Sequence, residues 1–397
     1  MKCFDKAKSR KSRVGPSAER SANYDVIEAR PKRFIRVHHE NVRKAEVATT
    51  DIDSGDTTLL QPERSLDYAA PSLKQPNGSR NPKDWVLFFV HGVGSSSRDW
   101  SAQIDHFKKL GYRIVAVDLI GHGGSRPLPS SPSSPASLVE EDFSFKQMAS
   151  DVLAVFDHYA DGRGNVLIGH SLGCSICTYV ASKRPYAVSK MSLLCGGGPD
   201  VLNARTDGRG GGGGCGCGCC DCCCDILSLP NCFFSLFRPC CYSYVKKQMF
   251  SQSHLKSTQH LHTSLDDVSP DVIKYTLKGQ VWMEANEAFH EALRIHCQLI
   301  GGTEDQLVDG DDEVRMFQTL RLCRLDMIIG GSHMLMIENA AIVNSLLQQF
   351  ILEPILDEAD FAKFNFPSDS KDVQLEEQVK KANSEIVRKS VLFHKDR

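Results

Sequence analysis

From Trp85 onward, short apolar runs alternate with segments whose apolar positions recur at helical spacing. The runs are "WVLFFV", "YRIVAVD", "NVLIG", "VSKMSLLC", "IHCQLI" and "LCRLDMIIG". Between them stand "SAQIDHFKKL", "FSFKQMASDVLAVFDHYA" and "SICTYVASKR". Apolar strands without a polar face, separated by amphipathic helices, predict an α/β fold with a mostly parallel central sheet covered on both sides. Upstream, "RFIRVHH" and "KAEVATTDI" have the composition of two further strands. The alternation lapses over residues 200–290, which have the character of a lid insertion. "PLPSSPSSPAS" is a solvated loop. No internal repeat is present.

This patterning divides the chain into three. Residues 1–82 form a basic arm, expected to be disordered over 1–30, followed by the two candidate strands and a linker. Residues 83–353 form the α/β domain with its lid. Residues 354–397 form a tail ending in the charged helical pattern "VQLEEQVKKANSEIVRKSVLF".

Composition narrows the class. A chain of 397 residues, 41% hydrophobic, supplies one large core with extensions. A net charge of −2 gives no electrostatic case for nucleic acid as a partner. The opening "MKCFDKAKSRKSR" is strongly basic, but no apolar stretch with a small-residue cleavage site follows, so no secretory signal is expected. No clean apolar run reaches the roughly 18 residues that a membrane span needs. Of 16 cysteines, ten fall between Cys215 and Cys241, which is unlike the spaced framework of a disulfide-rich secreted domain. A reduced, cytoplasmic protein is expected.

The chemistry begins at "VLIGHSLGC". Ser171 stands where a strand meets a helix, with Gly169 two residues before it and Gly173 two residues after. That is the nucleophile-elbow pattern, in which absent side chains allow a tight turn and the hydroxyl is presented at the strand's end. A serine hydroxyl needs a base and an acid to orient that base. His333 in "GGSHMLMIEN" follows the last apolar run and supplies the base. Asp305 in "HCQLIGGTEDQLV" is the acid candidate, with Glu304, Asp309 and Asp311 competing and Asp200 in "GGGPD" as the alternative. The backbone N–H groups of Val93, in "FFVHGVG", and of Leu172 are the expected oxyanion donors. His91 is expected to hydrogen-bond within its own loop.

Together "HGVG", "DLIGHGGS", "GHSLG", "GGTEDQLV" and "GGSHMLMIEN" make the chain resemble the α/β-hydrolase superfamily over roughly residues 85–352. The resemblance implies the α/β-hydrolase fold and a Ser171–Asp305–His333 triad, and no cofactor or metal is expected. It does not supply a substrate. Related lipid acyltransferases carry an aspartate five positions after the histidine, where this chain has Glu338. Dehalogenases and epoxide hydrolases carry an aspartate at the elbow itself. Both departures favour cleavage of an acyl ester, thioester or amide, with a lipid-like ester or thioester expected as substrate.

The block "GRGGGGGCGCGCCDCCCDILSLPNCFF" admits three accounts. Cys-x-Cys spacing can bind soft metals, but no histidine is present and the spacing matches no structural zinc module. A low-complexity loop in the lid is the plainest account. S-acylation of Cys219, Cys220, Cys222, Cys223 and Cys224, with Cys3 in the basic arm, would hold the protein peripherally on a membrane surface. A rival to the enzyme is a non-catalytic adaptor that keeps the fold and meets protein partners through its tails or lid.

Overall fold

The computed structural model describes residues 24–30, 33–41, 85–125, 138–162, 164–203, 238–257 and 263–355. Among these, eight strands form one sheet: β1 Tyr24–Arg30, β2 Arg33–Glu40, β3 Val86–Val90, β4 Arg113–Val117, β5 Asn165–His170, β6 Lys190–Leu194, β7 His296–Gly302 and β8 Cys323–Ile328. Their order across the sheet is β1-β2-β4-β3-β5-β6-β7-β8. The first two pairings, β1 with β2 and β2 with β4, are antiparallel, and every other pairing is parallel.

Burial explains why the apolar runs are unbroken. Every residue of β3 through β7 is buried, because helices cover both faces. Toward the edges β2 alternates and β8 is buried only at its ends. The chain steps from β3 to β4 on one side, then crosses back to β5 on the other. Right-handed crossovers in opposite directions put their helices on opposite faces. Thus α1 (Ser101–Lys109) packs with α11 (Ala340–Leu352), whereas α2 (Phe145–Tyr159) packs with α3 (Leu172–Lys183). Where the order reverses, beside β3 and β5, the loops leave a crevice at the strands' carboxyl ends, which is where open α/β sheets bind ligands.

Lys190 opens β6 and is fully buried. Its Nζ donates to the carbonyls of Phe350, Ile351 (3.1 Å) and Glu353 (2.7 Å), closing the carboxyl end of α11. A cation there satisfies orphan carbonyls and meets the negative end of the helix dipole.

Between β6 and β7 the described residues form α4 (Arg238–Met249), α5 (Gln252–Ser257), α6 (Ser264–Asp267), α7 (Pro270–Gly279) and α8 (Glu287–Glu291). These helices fall in the stretch 200–290, of which residues 204–237 and 258–262 lie outside the described residues. After it, α9 (Gly310–Thr319) links β7 to β8, and α10 (Leu335–Glu338) precedes α11.

One expectation is corrected. Residues 24–30, placed in the disordered arm, form edge strand β1, and with β2 they extend the domain's own sheet. The reason is a distant partner. Arg30 and Arg33 both bond the carboxylate of Asp151 on α2, at 2.9 and 2.5 Å, with the Arg33 and Asp151 side chains nearly buried. "KAEVATTDI", the cysteine block and the tail after residue 355 lie outside the described residues. No described helix is long and apolar enough to cross a membrane.

Candidate active site

Ser171 links β5 to α3 with φ 53° and ψ −123°, a conformation that side chains rarely adopt and that costs roughly 1–3 kcal/mol. Its backbone is held on both sides: Ser171 N–H donates to Leu194 O at 2.9 Å, and Cys174 N–H donates to Ser171 O at 2.8 Å. The glycines of the motif are required by close approach. A Cβ on Gly173 would stand 2.2 Å from Val90 O, and one on Gly169 2.6 Å from Gly173 O. Across the crevice, a Cβ on Gly92 would stand 2.8 Å from the Ser171 Cβ. Strand, elbow and the loop after β3 therefore fit only when these three positions lack side chains.

Leu172 is the first residue of α3, so helical geometry leaves its N–H without an intrahelical acceptor. Val93 lies in the loop after β3, braced by two buried histidines. Nδ1–H of His91 donates to Gly92 O at 2.7 Å, and its Nε2 accepts from Leu119 N–H at 3.0 Å. Nε2 of His122 accepts from Gly94 N–H at 3.1 Å, and its Nδ1–H donates to Ile120 O at 3.0 Å. Burial keeps both rings neutral, pushing His122 down to about 3. His91 is thus a structural member of the loop.

Asp305 and His333 come from the loops after β7 and β8, and His333 Nδ1 lies 2.8 Å from Asp305 Oδ2. Both side chains are nearly buried, at 3% and 5% exposure. The other carboxylate oxygen, Oδ1, accepts from Leu307 N–H at 2.8 Å and Val308 N–H at 3.0 Å. Burial pushes the carboxyl up, but the His333 charge and hydrogen bond, with the two backbone donors, outweigh it and hold Asp305 below the usual carboxylate range. An ionised carboxylate at Nδ1 fixes the imidazole tautomer and leaves Nε2 as the basic nitrogen.

The competing acids go elsewhere. Asp200 is an exposed partner of Arg315 at 3.0 Å, so the alternative is not brought to the histidine. Asp309 caps α9, and Glu304 and Asp311 are exposed. The S-acylation candidates Cys3, Cys219, Cys220, Cys222, Cys223 and Cys224 lie outside the described residues.

Two neighbours were not foreseen. His170 Nε2–H donates to the backbone carbonyl of His333 at 2.8 Å, and burial pushes His170 down to about 3, so the ring is neutral. The residue before the serine thereby ties the elbow to the histidine loop. Its adjacency to Ser171 was the available signal. Cys195, at the end of β6 with φ 51°, offers its thiol beside Asp305, and burial keeps that thiol protonated. Donor atoms of Cys195, Asp305 and His333 lie within 4.8 Å of one another. Three N–H groups already engage Asp305, from Leu307, Val308 and His333.

The insertion contacts both sides of the crevice. A Cβ on Gly94 would meet Leu265 of α6 at 2.7 Å, and Ser264 Oγ–H donates to Asp99 at 2.8 Å. A cleft of about 320 Å³ opens beside these contacts, with Phe250, Met336 and Ile337 on its apolar wall and Arg98 and Asp99 at its polar one.

Comparisons with known proteins agree with the fold. Residues 86–207 match the family described as alpha/beta hydrolase fold. The chain is 37% identical to Protein ABHD8 of Mus musculus over 270 residues, 68% of this chain and 55% of that protein. It is 33% identical to the bifunctional esterase/perhydrolase DCH of Acinetobacter calcoaceticus over 126 residues, 30% of this chain and 41% of that protein. The chain thus spans little more than half the length of the ABHD8 proteins it matches. Among solved structures, an esterase from Exiguobacterium antarcticum superposes with a TM-score of 0.55 at 16% identity, covering 81% of this chain and 97% of that one. At that identity the likeness speaks for the fold.

Proposed function

We propose that this chain, an α/β-hydrolase resembling ABHD8, is a serine hydrolase that cleaves acyl esters or thioesters through an acyl-enzyme on Ser171. The observation that carries this reading is the 2.8 Å bond between buried Asp305 and His333, on a loop tied by His170 to the serine elbow. In the first step His333 Nε2 takes the proton of Ser171 Oγ as that oxygen attacks the acyl carbonyl. Asp305 stabilises the imidazolium, and the N–H groups of Val93 and Leu172 receive the oxyanion. Each such donor contributes about 3 kcal/mol of transition-state stabilisation. His333 then passes its proton to the departing alcohol or thiol. Water, deprotonated by the same nitrogen, attacks the acyl-enzyme and regenerates Ser171.

The apolar wall of Phe250, Met336 and Ile337, the last two three and four residues after His333, supports a substrate with a hydrocarbon chain. The likeness to the bifunctional esterase/perhydrolase DCH, 33% identical over 126 residues, supports the same reaction class. The test is labelling by a fluorophosphonate probe together with turnover of p-nitrophenyl acyl esters. Wild type should do both. Ser171→Ala should do neither while keeping its circular dichroism spectrum, with turnover falling by a factor on the order of 10⁴ or more. A folded wild-type chain inert in both assays would favour the adaptor.

A further inference from the structure

Glu338 closes α10, five residues after His333, and its side chain is only 6% exposed. Both of its oxygens are taken, by two segments far apart in sequence. Oε2 accepts from Ser332 Oγ–H at 2.6 Å, in the residue just before the histidine. Oε1 accepts from Ser251 N–H at 2.9 Å and from Ser251 Oγ–H at 3.2 Å, in the turn between α4 and α5 of the insertion. One further bond runs beside these, from Met334 N–H to Met249 O at 3.2 Å. Ser332 Oγ also accepts from Met334 N–H at 3.3 Å. The residues on both sides of His333 are therefore bonded, directly or through one carboxylate, to residues 249–251.

Taking a carboxylate out of water is unfavourable unless its lone pairs are filled. Here serine and backbone donors fill them, with His254 Nδ1 at 3.9 Å as the one cationic candidate within ion-pair distance among the described residues. Such an arrangement couples two segments, because Ser251 loses its acceptor, and Glu338 Oε1 its donors, if the turn at 249–251 moves away from the histidine loop. His333 is thus fixed at three points: its Nδ1 on Asp305, its carbonyl on His170, and its flanking residues through Glu338 on the insertion. The first two belong to the sheet loops, and the third alone depends on where the insertion sits.

We propose that Glu338 is a positioning residue that couples the insertion to the base, so that the placement of the His333 imidazole depends on the seat of residues 249–251. This rests on the serine-hydrolase reading and adds a means of regulating that site: whatever shifts the α4–α5 turn shifts the base. Displacements near 1 Å can cost about 100-fold in rate, which sets the scale of the expected effect.

The test uses the full chain as wild type, Glu338→Ala and Glu338→Gln, with rates normalised to active-site titration. Hydrogen exchange is followed in peptides covering 249–254 and 332–338. Glu338→Ala should lower kcat by about 10- to 100-fold with KM within about 2-fold of wild type. Both peptides should exchange faster together. Glu338→Gln keeps an acceptor for Ser251 and can donate to Ser332, so it should restore most of kcat and of the protection. If Glu338→Ala fails to fold, Ser332→Ala and Glu338→Gln carry the same readouts. The coupling is overturned if kcat per titrated site is unchanged while only Tm falls, or if exchange rises in 332–338 alone. A wild-type chain that neither labels nor turns over defeats the hydrolase reading, and the coupling is then decided by exchange alone.

Discussion

The elbow around Ser171 and the Asp305–His333 pair meet at the same edge of the sheet, yet they are held by opposite means. The elbow is assembled within six residues, and its accuracy comes from what is missing: a Cβ on Gly173 would sit 2.2 Å from Val90 O. The pair joins residues 28 positions apart, on loops after neighbouring parallel strands, and its accuracy comes from bonds that are present. Steric fit is tied to the fold, because β3, β5 and α3 must all part to relieve a clash. Hydrogen-bonded placement is tied to the chemistry, because an isosteric change removes the charge and leaves the packing. Damage to the first should therefore appear as lost stability, and damage to the second as lost turnover.

The largest expected effect separates the two directly. Asp305→Asn should reduce ester turnover by about 10³- to 10⁴-fold with little change in Tm, since the amide fits the space but favours the wrong imidazole tautomer. Asp200→Asn should stay within about 2-fold of wild type, because its exposed pair with Arg315 is worth at most about 1 kcal/mol. Steady-state kinetics of the two variants side by side decide the matter, and the reverse ranking would make Asp200 the acid.

Next in size is the elbow itself. Gly173→Ala should cost about 3 kcal/mol or more, in the range of overpacked interiors, and lower Tm by several degrees. Gly162→Ala is the control, since nothing lies within 4 Å of a Cβ there, and its Tm should not fall. Equal Tm values for both would mean that the close approach at Gly173 is relieved at no cost.

The smallest effect lies at the seam between the two regions. Glu313 on α9 is fully buried, with Oε1 accepting from Gly197 N–H at 3.1 Å. Burial pushes its carboxyl up to about 8, with Asp305 and Asp312 adding to the rise against the backbone donors that lower it. The folded chain therefore keeps a proton that the unfolded chain releases near pH 4.5, so this group's contribution to stability falls as pH rises from about 4.5 to about 8. Glu313→Gln cannot ionise. It should flatten that slope and be relatively more stable than wild type at pH 8, by about 1 kcal/mol or more. Denaturant melts at pH 5 and pH 8 measure it, and an unchanged slope would mean that Glu313 is already ionised.

How far these features can be seen in one dimension depends on the range of the forces that make them. The strands β3 to β7 were legible because burial on both faces imposes apolar runs, and Ser171 because two glycines at fixed spacing leave a local mark. Edge strand β1 was missed because its polar residues find distant partners, Arg30 in Asp151 and Asp25 in Tyr159, more than a hundred positions away. His170 stood next to the serine, but its role toward the His333 carbonyl spans 163 positions and has no local signature. Glu338 was noticed only as a departure at one spacing, and nothing local indicates that it also bonds Ser251.

The sequence by itself determined the class of fold and the glycine-flanked turn that carries Ser171, because periodicity and backbone sterics act over a few residues. Only the tertiary structure paired His333 with Asp305 and Asp200 with Arg315, turned His170 toward His333, and set Glu338 between the histidine loop and the insertion. Those choices depend on which loops stand together at the carboxyl ends of β5, β7 and β8. Strand pairing sets that proximity over long separations, and a hydrogen bond forms only within a few tenths of an ångström of its proper length.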